Sequence, residues 1–484
     1  MRVRGHALAP TNLRPASTAM TSPLIHRDLA VLWHPCSQMR DYQDFPPLEV
    51  VSAHGVWLTL ADGRRVFDAI SSWWCKSLGH GHPRLKAALI AQAEKFEHVI
   101  LANTTNEPVV TLCERLLAAA NGLPSRFWGA NAPAGRQPGH FGKVFFADNG
   151  STAVEVALKL VLQAQAQLGR SQRTRFAAFQ HGYHGETVGA LSVGDCGLYK
   201  NTFAPLLFPC TQLGPLPYRS GPEDPLWMNA SAEWPAIQAQ LDAEADTLAA
   251  IIYEPVLQGA GGMRLYSPDL LRRLRVWADA HHVLLIADEI ASGMGRCGAM
   301  LASHLAGLEV LPDIAVLSKG LTGGYLPMAT VLTTDQLYDI FIADWNDGRA
   351  FLHSNTYAGN ALAVAVALAA LDVYATDDVL GHVARTGPLL RQGLAVLATE
   401  HAQLHHVRGV GMMAAVDLCT ADGSPFNPKF RTGWRFSRAA AQRGVLLRSL
   451  GDSCYLFPPL TTTPEEIRFL LRTFAADGFS PSCP

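Results

Sequence analysis

Short apolar runs recur through the middle of the chain, at residues 143–147, 176–179, 249–253, 283–287 and 314–317. Unbroken runs of this kind suit strands buried on both faces, as in a parallel sheet. Helical periodicity fills the intervals, over residues 153–167, 236–246 and 268–280. Strand and helix in alternation predict βαβ crossovers and an α/β fold with a mostly parallel central sheet. The runs end in turns rich in glycine, hydroxyl or acid: Asp148-Asn149-Gly150-Ser151-Thr152, Gln180-His181-Gly182-Tyr183-His184-Gly185, Glu254-Pro255, Asp288-Glu289 and Ser318-Lys319-Gly320. In open α/β sheets ligands bind at the carboxyl ends of the strands. Those turns are where chemistry is expected.

On either side the pattern differs. Residues 50–60 followed by Asp62-Gly63 read as strand, turn and strand. Two adjacent tryptophans, Trp73 and Trp74, cannot both enter one core from a regular element, so at least one should line a cleft. Residues 121–140, rich in Gly, Pro, Asn and Ala, read as a surface insertion. The longest apolar run, 361–371, is shorter than the roughly 20 residues that cross a bilayer and predicts a buried helix. From about Tyr374 the long parallel pattern stops. A helix over 433–443 and a strand over 445–448 then predict a smaller α+β domain. The expected division is a disordered leader over 1–30 and a segment over 31–70 that joins the small domain. A large domain over 71–372 and a small domain over 373–484 complete it.

Composition narrows the function classes. A chain of 484 residues exceeds one hydrophobic core and should form at least two domains. A net charge of −2 argues against nucleic acid or an anionic membrane as partner. The nine cysteines include no C-x-x-C pair, which fits a reducing compartment, the cytoplasm. Arg2, Arg4 and Arg14, with no acid before Asp28, resemble a transit peptide but surround no apolar signal core. His80 with His82, and His181 with His184, lack a third ligand at metal spacing, so no metal is expected.

The candidate chemistry centres on Lys319. A lysine delivered by a buried strand into a glycine-rich turn loses solvation, which lowers its pKa and makes the amine a nucleophile. Asp288 ends the preceding apolar run, 31 residues earlier, about one βαβ crossover away. Gly150 and Ser151 open a helix, where free amides and the helix dipole attract an anion. Each feature alone has a plain structural reading, an N-cap or a surface ion pair. Together with the flat face of Tyr183 and the acid Glu254, they supply what pyridoxal phosphate needs. That is an anion site, a ring face, a partner for the pyridine nitrogen and a lysine for the aldehyde. A nucleotide-binding loop fails on order, since its glycines should precede the lysine.

These residues resemble the class III, fold type I, aminotransferases that use pyridoxal phosphate, over most of the chain. The resemblance is carried by Trp33-His34-Pro35, Ser71-Ser72-Trp73-Trp74, His181-Gly182-Tyr183-His184-Gly185, Gln258-Gly259-Ala260-Gly261-Gly262-Met263, Asp288-Glu289-Ile290-Ala291 and Ser318-Lys319-Gly320. It implies a large domain with a mostly parallel sheet, a smaller α+β domain, and a homodimer with its sites at the interface. It further implies that Lys319 holds the cofactor and moves a proton, that Asp288 binds the pyridine nitrogen and that Tyr183 covers the ring. Gly150 and Ser151 would bind the phosphate, with Asn355 and Thr356 reaching across from the second subunit. Trp73 and Ser354 would line the substrate pocket, Arg448 would hold a carboxylate, and Cys36, Arg296 and Tyr455 would lie near substrate. The Trp pair, the W-H-P segment and Ala291 resemble most the biotin-pathway branch, in which S-adenosylmethionine aminates 8-amino-7-oxononanoate. Cys36 departs from a tyrosine of that branch and Ser354-Asn355 from a Gly-Pro pair, which leaves lysine or another ω-amine open as donor.

Overall fold

The computed structural model describes residues 22–475. Ser22 caps a helix, Pro23–Val31, by accepting the amide of Ile25. The expected disordered leader therefore does not extend over residues 23–30; residues 1–21 lie outside the described residues. Three strands follow: β1 (Val50–His54), β2 (Trp57–Leu60) and β3 (Arg65–Asp68). Where one strand was expected over 50–60, Gly55 at φ +57° breaks it into a hairpin.

The large sheet gathers β4 (Phe141–Ala147), β5 (Arg175–Phe179), β6 (Cys210–Leu213) and β7 (Leu248–Tyr253). A small hairpin, β8 (Leu257–Gln258) with β9 (Arg264–Leu265), precedes β10 (Leu284–Asp288), β11 (Ile314–Leu317) and β12 (Ala329–Thr334). The order is β4-β12-β11-β10-β7-β5-β6. Side chains alternate between two packed faces: Ile252, Ile286 and Val316 meet the helix Gly150–Gln167, while Ile251, Leu285 and Ala287 join the opposite core. All neighbours are parallel except β12, which runs antiparallel to both β11 and β4. The reason is the short link after Leu317, which carries the lysine turn. A parallel return needs a crossover of about a dozen residues or more, usually with a helix. Neither β12 nor β6 stands out in the sequence, because both are bordered by glycine- and proline-rich loops.

The C-terminal part forms a second sheet from β13 (Leu404–Val410), β14 (Met413–Leu418), β16 (Ser449–Leu450) and β17 (Ser453–Leu456). The strand expected over 445–448 stops at Leu446, and a second short strand begins only at Ser449. The first, β15 (Val445–Leu446), pairs in parallel with β3, and β16 pairs with β17. Arg448 sits at the changeover between the two sheets. The apolar run at 361 forms the buried helix Ala361–Thr376. No helix among the described residues is long and apolar enough to cross a membrane. Residues 121–140 are tied down more than a surface insertion suggests. Trp128 is buried and its carbonyl accepts from Arg115 Nε at 2.7 Å. The Asn121 side chain spans the amide and carbonyl of Phe141 at 2.8 and 3.0 Å.

Candidate active site

Glu254, Asp288 and Lys319 close β7, β10 and β11, three neighbouring strands, so the topology alone brings them to one edge. Asp288 is buried; its Oδ2 lies 2.8 Å from His184 Nδ1 and its Oδ1 accepts the amide of Ile290 at 3.1 Å. Glu254 accepts the amides of Tyr183 and Gly259, both at 2.9 Å. Burial pushes its carboxyl up to about 7; His184 opposes the rise and the Asp288 charge adds to it. Lys319 follows β11 with φ +26° and sets its ammonium 4.8 Å from the centroid of the Trp74 ring. Burial lowers its pKa, and the charges of Asp288 and Glu254 oppose this. Among the described residues no hydrogen bond or ion pair holds that amine.

His184 and Trp74 are site residues that the sequence reading missed. His184 was weighed only as a metal ligand, although it adjoins Tyr183 in the same turn. Trp74 was legible as one of a pair, but nothing in the pair said which ring turns inward.

The anion end is built at the N-terminus of helix Gly150–Gln167. Asn149 and Thr152 cap each other reciprocally, so the helix starts at Gly150 and not at Ala153. The cap leaves the Gly150 and Ser151 amides without an intrahelical acceptor, free for a ligand. Space there is limited. A Cβ at Gly150 would come within 2.9 Å of Ile290 Cδ1, and one at Gly185 would run into Ser151 Oγ.

The rim comes from other parts of the chain. Tyr183 donates its hydroxyl to Glu186 at 3.0 Å and packs edge-on against Tyr199. Burial raises the Tyr183 phenol pKa, and Glu186 adds to it. Trp73 is 40% exposed, whereas Trp74 is 5% exposed, so only the first faces the opening. The Arg448 guanidinium lies over Trp73 at 4.3 Å and donates to the Cys36 carbonyl at 3.3 Å. The Cys36 thiol is pushed up by burial and by Glu186, with Arg448 opposing.

Two positions expected near substrate, Arg296 and Tyr455, fall elsewhere. Arg296 is buried, stacks on Phe457 at 3.8 Å, and donates Nη1 to the carbonyls of Met412 and Pro458, both at 2.6 Å. Those bonds tie the loop after β10 to the C-terminal sheet region and turn the side chain away from a substrate role. Tyr455 is buried too and accepts Trp74 Nε1 at 3.2 Å, so it supports the indole from behind. Ser354, Asn355 and Thr356 follow a segment anchored outside this cleft: Phe351 packs on Phe145, and His353 meets Lys159 at 2.9 Å.

Residues 38–476 match the model of a family described as aminotransferase class-III. The chain belongs to the class-III aminotransferases. It is 38% identical over 460 residues to the adenosylmethionine-8-amino-7-oxononanoate aminotransferase of Geobacter sulfurreducens, covering 93% of this chain and 96% of that one. The enzyme of the same name from Synechococcus elongatus is 39% identical over 444 residues, 92% of this chain and 97% of its own. The crystal structure of the Methanocaldococcus jannaschii enzyme of that name superposes with a TM-score of 0.83 at 30% identity, covering 93% and 97%. An amine transaminase from an uncultivated Pseudomonas species, in its PLP-bound form, gives a TM-score of 0.81 at 32% identity, covering 92% and 98%.

Pyridoxal phosphate is the cofactor of this class of aminotransferase. The residues present here fit it. A half-buried amine with no hydrogen-bond partner among the described residues, a buried carboxylate one strand away and free helix amides in a glycine-lined cradle match the aldehyde, ring nitrogen and phosphate in kind and number.

Proposed function

We propose that this aminotransferase converts 8-amino-7-oxononanoate to 7,8-diaminononanoate with S-adenosylmethionine as amine donor. The observation that carries the reading is the placement of Arg448. Its guanidinium stands at the outer end of the cleft, stacked on Trp73, while the Lys319 amine stands at the inner end on Trp74. A long keto acid needs its carboxylate gripped away from its reacting carbon. The names of relatives that share over nine-tenths of their length with this chain support the same substrates.

Bound pyridoxal phosphate supplies an electron sink that lets a Cα–H bond of the amine break. This chain's residues do the rest. Lys319 Nζ would hold the cofactor and would take and return the substrate Cα proton; burial lowers its pKa, which favours the neutral amine, and the charges of Asp288 and Glu254 oppose this. Asp288, its carboxylate oriented by His184, would keep the pyridine nitrogen protonated. Gly150 and Ser151 would hold the phosphate, joined by Asn355 and Thr356 from a second subunit. Tyr183, its hydroxyl fixed by Glu186, would cover one ring face.

The working form is a homodimer, supported by the position of Ser354, Asn355 and Thr356 outside their own cleft and by exposed apolar residues such as Trp33, Val99, Ile100 and Leu352. The described cysteines are all free thiols, which supports work in a reducing cytoplasm. A second donor class, ω-amines such as lysine, is favoured by one observation: Cys36 puts a small thiol, not an aromatic ring, at the rim. A half-reaction with each donor alone decides between them. S-adenosylmethionine should shift the absorption of the bound cofactor to that of its amine form within the turnover time. A shift with lysine alone would transfer the donor role.

A further inference from the structure

Four consecutive residues, none of them glycine, take positive φ: Ser71 at 48°, Ser72 at 44°, Trp73 at 75° and Trp74 at 73°. In an L-residue this conformation crowds Cβ against the following carbonyl, so it persists only where the surroundings over-determine it. The surroundings here centre on one carboxylate. Asp68, wholly buried at the end of β3, accepts the amides of Ser72 and Ile70 on Oδ1 at 3.0 and 3.3 Å. Its Oδ2 accepts the Ser72 hydroxyl at 2.8 Å and lies 2.8 Å from His80 Nε2. The His80 nitrogen also lies 3.4 Å from Ser72 Oγ, which closes a three-membered network. Ser71 Oγ donates to the Phe457 carbonyl at 2.7 Å, and the Trp74 amide bonds the Ile70 carbonyl at 2.8 Å.

That left-handed turn sends two adjacent indoles to different ends of the cleft. Trp74 goes inward under the Lys319 amine, and Trp73 goes outward under the Arg448 guanidinium. Reversing the hand of the turn would move both rings off these partners. We propose that Asp68, backed by Ser72 and His80, is a positioning residue that sets both ends of the reaction site at once by holding residues 71–74 left-handed. Its own bonds go to the turn and to His80, and it acts through the two tryptophans. The proposal rests on the reading of the cleft given above.

The test uses the full-length protein. Asp68→Asn keeps the size of the side chain but removes one of the two acceptors. It should lower kcat/KM about a hundredfold, the scale of an ångström-sized displacement of positioned groups, with KM raised and kcat lowered together. Near-ultraviolet circular dichroism of the cofactor-free protein should lose intensity in the tryptophan band, since the indole pair is no longer fixed. Adding Ser72→Gly, which adopts positive φ without strain, should restore roughly tenfold of the lost rate. Unchanged kinetics and dichroism in Asp68→Asn, or a loss that Ser72→Gly leaves untouched, would overturn the proposal. If Asp68→Asn does not fold, Ser72→Ala and His80→Gln should each change kinetics and dichroism in the same direction by less, and wild-type behaviour in both would equally overturn it. The dichroism judges the turn even in a protein with no transaminase activity, so failure here and failure of the proposed reaction are told apart.

Discussion

The inner and outer ends of the cleft are built in different ways. The inner end, Glu254, Asp288 and Lys319, rides on three adjacent parallel strands whose register is fixed by buried side chains on both faces. The outer end joins Cys36 from an irregular N-terminal loop, Trp73 from a left-handed turn, and Arg448 from the changeover between two small sheets. A strand end holds a group to the precision of the sheet, whereas a rim assembled from three loops can change one member without disturbing the others. On the proposed assignment the chemistry sits on the first kind of support and substrate choice on the second. Mutations at the two ends should therefore separate into losses of rate and losses of binding.

The largest effect belongs to the inner end. Lys319→Ala should cut kcat by more than about 10⁴-fold, because both the cofactor's anchor and the proton carrier are gone. Steady-state assay of a mutant that keeps the wild-type fold and elution volume checks this. Asp288→Asn should cost about 10³-fold in kcat with little change in KM, because a neutral amide does not keep the ring nitrogen protonated. A near-native rate would remove that carboxylate from the mechanism. Arg448→Ala should do the reverse. Losing charge-assisted hydrogen bonds should raise KM for the keto acid about a hundredfold and leave kcat within about threefold. A matching fall in kcat would erase the distinction between the two ends.

The smallest effect is on stability. Burial pushes the Glu254 carboxyl up to about 7 from 4.5, so the folded protein keeps a proton that the unfolded chain has released. Its stabilising contribution is full below the unfolded value and disappears as pH rises through the folded one. The melting midpoint of the cofactor-free protein should fall between about pH 5 and 7, and Glu254→Gln should flatten that fall. An equal slope in the mutant would assign the proton elsewhere.

The same division governs what could be read from the sequence. The parallel strands, the order of their ends and the placement of Lys319, Asp288 and Tyr183 at those ends follow from apolar runs that stop at polar turns. The antiparallel β12 was hidden because nothing in residues 329–334 marks strand direction, which is set instead by the short lysine turn before it. Arg448 was legible as a strand-end cation, but its partners were not, since Cys36 is 412 positions away and Trp73 points outward only through its unusual backbone. Arg296 misled for a related reason. An arginine near the site motif in sequence is as able to tie two carbonyls more than a hundred positions away as to meet substrate, and here it does the former. His184 shows that a histidine three residues from a possible metal partner can instead belong to a carboxylate on another strand.

The measurement that bears most directly on the central assignment is borohydride reduction of the untreated, coloured enzyme, followed by peptide mapping. The reduced cofactor should be recovered on the peptide that contains Lys319, with one label per chain. A label on another lysine, such as the half-buried Lys76, or a protein that binds no cofactor, would contradict the account.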